Sequence, residues 1–274
     1  YSKHPAKLLE TPVSEETFSG MAVGAAAMGL HPCVEVMYGD FSTLASDALI
    51  NHASKLRFMT AGQLACPMVY RTPIGGGTGH GPQHTQSLET MFLGIPGLYV
   101  VAPSDPFSAK ALLKSAFLMD DPVLFFEHKA LYGDSGEIGD KDTYLPVGKA
   151  IVHGNGSSLL AIGYSRAFRI MIDALSDISG ETTFIDLATL YPLDEETLER
   201  EFSKIGRAVI VQEPSIGGSV AESVLRVLAK AGEVHNRVEI AASHQTPLPS
   251  SRIPESEVLV SADMIRDAAF RLLG

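Results

Sequence analysis

Strand-length apolar runs alternate with helix-length stretches along almost the whole chain, and this alternation restricts the fold more than any single motif. Residues 33–37, 67–71, 98–102 and 123–127 are predicted strands, with helices near 41–61 and 105–119 between them. An earlier helix opens at Ser14, a capping residue, with Glu15 and Glu16 in its first turn, and continues through GMAVGAAAMGL. Strands joined by helical crossovers form parallel sheets. The polar, Gly-rich stretch GDSGEIGDKDTYLPVG, residues 133–148, interrupts the pattern. A second alternation follows, with strands at 158–162, 182–185, 208–211 and 238–241 and helices at 165–176, 194–204, 217–231 and 262–273. A chain of 274 residues exceeds what one hydrophobic core usually serves. The expectation is an α/β protein of two domains, 1–132 and 149–274, joined by a connector at 133–148. Each domain has a mainly parallel sheet flanked by helices.

Charge narrows the partners. Thirty-two acidic residues against 21 basic give a net charge of -11, which argues against nucleic acid or an anionic membrane surface. The longest low-polarity stretch, 20–30, is too short to span a bilayer, and no charged-then-apolar leader opens the chain. Cys33 and Cys66 sit in apolar contexts without CxxC spacing, so neither a disulfide framework nor a zinc site is indicated, and a reducing compartment fits.

The densest group of unusual residues is RTPIGGGTGHGPQHTQSLET, Arg71 to Thr90, following a predicted strand. In open parallel sheets, ligands bind beyond the carboxyl ends of strands, which makes this segment a candidate site. It is neither a Walker loop, lacking GK followed by Ser or Thr, nor a GxGxxG loop. A flexible surface loop is the less favoured alternative, since long loops are often functional. His80 and His84 are four residues apart, but Pro82 between them breaks a shared helix face, so metal binding is not expected. On spacing alone each is more often a hydrogen-bonding surface histidine than a group that touches substrate. On position alone Glu15 and Glu16 are accounted for by the helix dipole, and Phe41 is more often a core residue than a cofactor platform.

Longer motifs separate these alternatives. TPVSEETFSGMAVGAAAMGLHPCVEVMYGDF, then GPQHTQSLE, PGLYVVAPSDPFSAKALLKSAF and DDPVLFFEHKALY, in this order, resemble the beta subunits of thiamine-diphosphate-dependent pyruvate, branched-chain 2-oxoacid and acetoin dehydrogenases. GRAVIVQEP and the Gly pair at 217–218 resemble the transketolase-type C-terminal domain that completes such chains, so the likeness covers essentially the whole sequence. It implies a pyrimidine-binding domain at 1–132 and a transketolase C-terminal-like domain at 149–274. It also implies an alpha subunit in an alpha2-beta2 heterotetramer, because the GDG motif that marks the diphosphate and Mg²⁺ site is absent here. A lipoylated acyltransferase core would receive the acyl group.

Position by position, the resemblance places the activating glutamate at Glu15, not Glu16. Its carboxyl would hydrogen-bond the pyrimidine ring nitrogen and favour the imino tautomer, a role that requires a dry, largely protonated acid. Phe41 takes the position that stacks on the aminopyrimidine, Met37 packs nearby and Val13 lines the same pocket. His84 matches the loop histidine that assists the substrate or the lipoyl group, with Gln83 and His80 as neighbours. Arg71 matches a recurring strand-end arginine. A monovalent cation near Asp120–Asp121 is also implied, as is a cytoplasmic or mitochondrial-matrix location. Relatives carry several dozen residues before the TPxSE motif, whereas ten precede it here, so the first domain is expected without its N-terminal helix and strand.

Two rival readings remain at this point: a truncated, non-catalytic assembly paralogue, and a separately encoded half of a transketolase. FFEHKALY leans toward acetoin or pyruvate as substrate, and GGGTGHG toward branched-chain 2-oxoacids.

Overall fold

The computed structural model describes residues 3–274. Two five-stranded sheets carry the structure. The first contains β1 (Cys33–Glu35), β2 (Val69–Ile74), β3 (Tyr99–Val101) and β4 (Val123–His128), and the second contains β5 (Ile151–His153), β6 (Leu159–Gly163), β7 (Thr182–Asp186), β9 (Ala208–Val211) and β10 (Val238–Ala241). β8 (Thr189–Tyr191) comes from the second half of the chain but pairs antiparallel with β3, giving the first sheet the order β1-β2-β4-β3-β8. The second sheet runs β10-β9-β6-β7-β5, parallel except for the β5 edge.

The strand residues explain the parallel core. β6, β7 and β9 are buried along their whole length, and β4 almost so, as strands covered on both faces must be. Helices α1 (Glu15–Ala27), α3 (Pro106–Ala116), α4 (Ser165–Ala174), α5 (Glu195–Ile205) and α8 (Ala262–Leu273) fall where the pattern puts them, and α6 (Val220–Ala231) does so apart from its start. Asp105 caps α3, accepting from the Ser108 N–H at 2.7 Å, and Asp194 caps α5. One apolar cluster runs from Val36 and Phe126 in the first half to Ile162 and Val224 in the second, so the halves share a core.

Three expectations are corrected, and one helix was not expected. Ser14 occupies the N-cap of α1, but its hydroxyl pairs with that of Thr17 at 2.8 Å and not with a backbone N–H. The helix expected at 41–61 is broken into short 3-10 and π turns and a single α turn, α2 (Leu56–Met59). Thr43, Ser46, Ser54 and Thr60 each donate a side-chain hydrogen bond to a carbonyl three or four residues back, competing with the regular ladder. α6 begins at Val220 and not 217, because Gly217 and Gly218 hold positive φ. A further helix, α7 (Arg252–Val258), tolerates Pro254 because the ring sits in its first turn. Residues 133–148 lie against α3, whose Lys110 and Lys114 donate to the carbonyls of Gly139, Asp140 and Thr143. Among the described residues no helix is long and apolar enough to cross a membrane.

Candidate active site

β1, β2 and β4 lie side by side and parallel, so the chain leaves all three at one edge of the sheet. Open α/β sheets hold their ligands at that edge. The exit from β1 carries Met37, Tyr38, Asp40 and Phe41, β2 runs into the Gly-rich segment, and β4 ends at His128 and Lys129.

The side chains from these exits meet. The His84 ring stands edge-on to Tyr38, with centroids 4.7 Å apart at 86°, and to Phe41 at 5.5 Å and 81°. Tyr38 also meets Phe41 at 6.0 Å and His80 at 6.3 Å. Phe41, His80 and His84, predicted separately, therefore form one cluster around Tyr38. Lys129 places its ammonium 5.4 Å from the Tyr38 ring centroid and donates to the His84 carbonyl. Beneath the cluster Asp40 is buried. Its Oδ1 accepts from the Gln86 side chain at 2.7 Å and backbone N–H at 3.3 Å, while Oδ2 has no partner among the described residues. Gly75 makes the turn out of β2 possible: its φ is +90°, and a Cβ there would lie 2.0 Å from His128 Nε2.

Glu15 sits in the first turn of α1, only 9% exposed, and its carboxyl has no hydrogen-bond or ion-pair partner among the described residues. It lies close enough to Tyr70 for its charge to raise that phenol, although burial is the larger cause of Tyr70's shift. The Tyr70 hydroxyl donates to Ser42 at 3.0 Å, beside Phe41. A largely buried carboxyl with no partner among the described residues, and the face of a half-buried Phe41, are the hydrogen-bonding group and the stacking surface that an aminopyrimidine requires, so these residues fit that group.

Other expected residues lie apart from the cluster within this chain. Val13 is 89% exposed and Met37 74% exposed, so neither lines an enclosed pocket here. Met37 borders a small hollow of about 230 Å³ with Arg71, Pro73 and Tyr132. Arg71 is taken up by a two-pronged pairing with Glu127, at 2.8 and 2.9 Å, which fits a structural role. Gln83 is exposed and lines a cleft of about 640 Å³ between the halves, together with Gln86, Glu213 and His244.

Sequence reasoning singled out none of Tyr38, Asp40, Lys129 and Glu213 as site residues. Glu213 joins the halves. It accepts from the Gly76 N–H at 2.7 Å and the Ser87 hydroxyl at 3.2 Å, and pairs with His128 at 2.8 Å and Arg166 at 3.3 Å. Burial alone would raise its carboxyl, but the His128 ring, Arg166 and the Gly76 N–H outweigh burial and hold it at about 2. Position at the carboxyl end of β9 was the one available signal.

With the geometry in place, comparison with known proteins defines the class. Residues 1–135 match the family described as transketolase, pyrimidine binding domain, and residues 148–265 the family described as transketolase, C-terminal domain. A solved split-gene transketolase, an inactive beta4 tetramer, shares the fold with a TM-score of 0.80 over 99% of this chain and 85% of its own, at 18% identity. Sequence relatives are closer. The beta subunit of acetoin:2,6-dichlorophenolindophenol oxidoreductase from Cupriavidus necator is 36% identical over 274 residues, 98% of this chain and 81% of its own. The 2-oxoisovalerate dehydrogenase subunit beta of Bacillus subtilis is 36% identical over 228 residues, covering 82% and 70%. The pyruvate dehydrogenase E1 component subunit beta of Cyanidium caldarium is 35% identical over 272 residues, covering 97% and 83%. The chain belongs to the beta-subunit family of the thiamine-diphosphate-dependent 2-oxoacid dehydrogenases.

Proposed function

We propose that this chain is the beta subunit of a 2-oxoacid dehydrogenase decarboxylating component, acting on pyruvate or a branched-chain 2-oxoacid and passing the acyl group to a lipoyl carrier. Residues 1–132 form the pyrimidine-binding domain, 133–148 the linker and 149–274 the transketolase C-terminal-like domain. The active unit is an alpha2-beta2 heterotetramer in which the alpha subunit holds most of the Mg²⁺ and diphosphate contacts. A monovalent cation near Asp120–Asp121 would be structural, and the compartment would be the cytoplasm or the mitochondrial matrix. Acetoin is the alternative substrate.

The observation that carries this reading is Glu15: a largely buried carboxyl with no partner among the described residues, in the first turn of α1. When bound, thiamine diphosphate supplies a nucleophilic carbon and an electron sink for decarboxylation. Glu15 holds a proton toward the pyrimidine nitrogen, a hydrogen bond strengthened by exclusion of water. Phe41 offers its ring face and fixes the plane of the pyrimidine. Val13 and Met37, exposed in the single chain, would close the same pocket against the alpha subunit. His84, oriented edge-on by Tyr38 and Phe41, donates or accepts a proton at the substrate or lipoyl group. Gln83 and His80 flank it.

The test is reconstitution with the cognate alpha subunit, thiamine diphosphate and Mg²⁺, followed by a panel of pyruvate, branched-chain 2-oxoacids, acetoin and ketose phosphates with an artificial electron acceptor. Turnover of a 2-oxoacid is expected. Glu15→Gln should cut kcat by about 10²- to 10⁴-fold while the tetramer still assembles. Full activity in that variant refutes the assignment. Assembly without turnover by the unaltered chain favours the non-catalytic paralogue, and turnover of ketose phosphates the transketolase half.

A further inference from the structure

The Gly-rich segment belongs to the first half, yet the second half holds it. Glu213 Oε1 accepts from the Gly76 N–H at 2.7 Å and the Ser87 hydroxyl at 3.2 Å, which are the two ends of the segment. Glu255, fully buried on α7, accepts from the Gly79 N–H between them at 2.8 Å through Oε2, while its Oε1 is buried without a partner among the described residues. The fit is close as well as polar, since a Cβ on Gly81 would lie 2.6 Å from Ser250 Oγ. We propose that Glu213 and Glu255 are positioning residues, two carboxylates of the C-terminal half that clamp segment 75–87 and so set the place of His84 for catalysis. This inference rests on the function proposed above.

Three features support the clamp. A glycine-rich segment loses more conformational freedom on ordering than any other, so it stays in one shape only where strong, directional acceptors hold its N–H groups. Carboxylates are the strongest such acceptors and take several donors at once. Glu213 also controls the second restraint on His84. Its Oε2 pairs with His128 at 2.8 Å, the residue before Lys129, and Lys129 binds the His84 carbonyl. Inside the segment, the Gly81 carbonyl accepts from the His84 N–H at 3.2 Å and the Thr85 hydroxyl at 2.6 Å, so movement at the ends is passed directly to His84. His128, Arg166 and the Gly76 N–H hold the Glu213 carboxyl at about 2 despite its burial, so it stays ionised, with both oxygens free to accept, at neutral pH.

The test compares Glu213→Gln and Glu255→Gln with the unaltered protein by two readouts. On the full chain, amide hydrogen exchange of residues 75–87 should quicken by about tenfold or more in each variant, with β6 and β9 unchanged. In the reconstituted enzyme, kcat should fall by about 10- to 100-fold. The Kd for thiamine diphosphate should stay within about twofold, since neither carboxylate touches the Glu15 and Phe41 side of the site. Adding Glu213→Gln to His84→Ala should give no loss beyond that of His84→Ala alone, which a merely structural defect would not satisfy. Unchanged exchange in both variants, or losses that multiply with His84→Ala, overturns the clamp. Should Glu213→Gln fail to fold, Glu255→Gln, which leaves the His128 pair intact, decides by the same readouts. An unaltered enzyme that turns over no 2-oxoacid defeats the function proposal alone, and the exchange rates still decide whether the segment is clamped.

Discussion

The two halves share an architecture but differ in how they finish their surfaces. In the second half, α4, α5, α6 and α8 are regular helices that bury one face against the sheet or one another, and few large apolar side chains remain outside. The first half breaks its second helical region into turns and leaves Leu9, Val13, Met28, Leu30, Met37, Phe58 and Met59 well exposed. Isolated exposed apolar residues are ordinary, but this concentration in one half is what a subunit contact requires. The candidate site lies in the same half. The contrast sets a C-terminal half that buries most of its own apolar surface beside an N-terminal half whose exposed apolar side chains suit a partner subunit.

That contrast can be tested first at the seam, where the largest stability effect is expected. Burial raises the Glu89 carboxyl from the ordinary 4.5 to about 7, a shift that the Tyr164 hydrogen bond reduces but does not cancel. The folded state thus holds this proton more tightly than the unfolded chain. Stability is highest below the unfolded value, falls as pH rises from 4.5 to about 7, and is level above. Glu89→Gln should remove that slope and raise stability at pH 8 by up to about 3 kcal/mol, read from urea unfolding at pH 5 and pH 8. Parallel behaviour of the two proteins would mean the join between halves carries no such cost.

A smaller effect tests the exposed surface itself. Phe58 is 89% exposed beside a groove of about 840 Å³ that Leu98, Tyr99 and Tyr191 also line. Phe58→Asp should weaken assembly with the alpha subunit by about 2 kcal/mol. The free energy of urea unfolding of the chain alone should change by less than about 0.5 kcal/mol. The reverse outcome would make this a poorly packed core and not a docking face. The smallest effect belongs to the second half. Glu195 pairs with Arg226 and Lys230, both at 2.6 Å, in the open. Glu195→Gln should cost under about 1 kcal/mol, a difference that fades in high salt.

Legibility in the sequence followed the range of the interactions. β4, β6 and β9 were visible because a strand buried on both faces must be apolar throughout. β5 and β8, three residues each, were invisible because antiparallel pairing at a sheet edge, not their own pattern, makes them strands. The turns at 39–55 were hidden by a helix-like spacing that side-chain bonds to the backbone override. Within the candidate site, Glu15, Phe41 and His84 stood out only through long motifs, because local spacing alone favoured a structural reading of each. Glu213 reaches Gly76 across 137 positions, and nothing near either residue announces that contact.

β8 carries one more consequence. Because residues 189–191 complete the first sheet along β3, that sheet cannot close in the order in which the ribosome makes it. The nascent N-terminal half waits with a bare strand edge, of the kind that invites mispairing, until residues 189–191 have been made. A gene cut at the Gly-rich stretch near residue 140 would therefore yield an orphan missing its last strand and a remnant with a strand to spare.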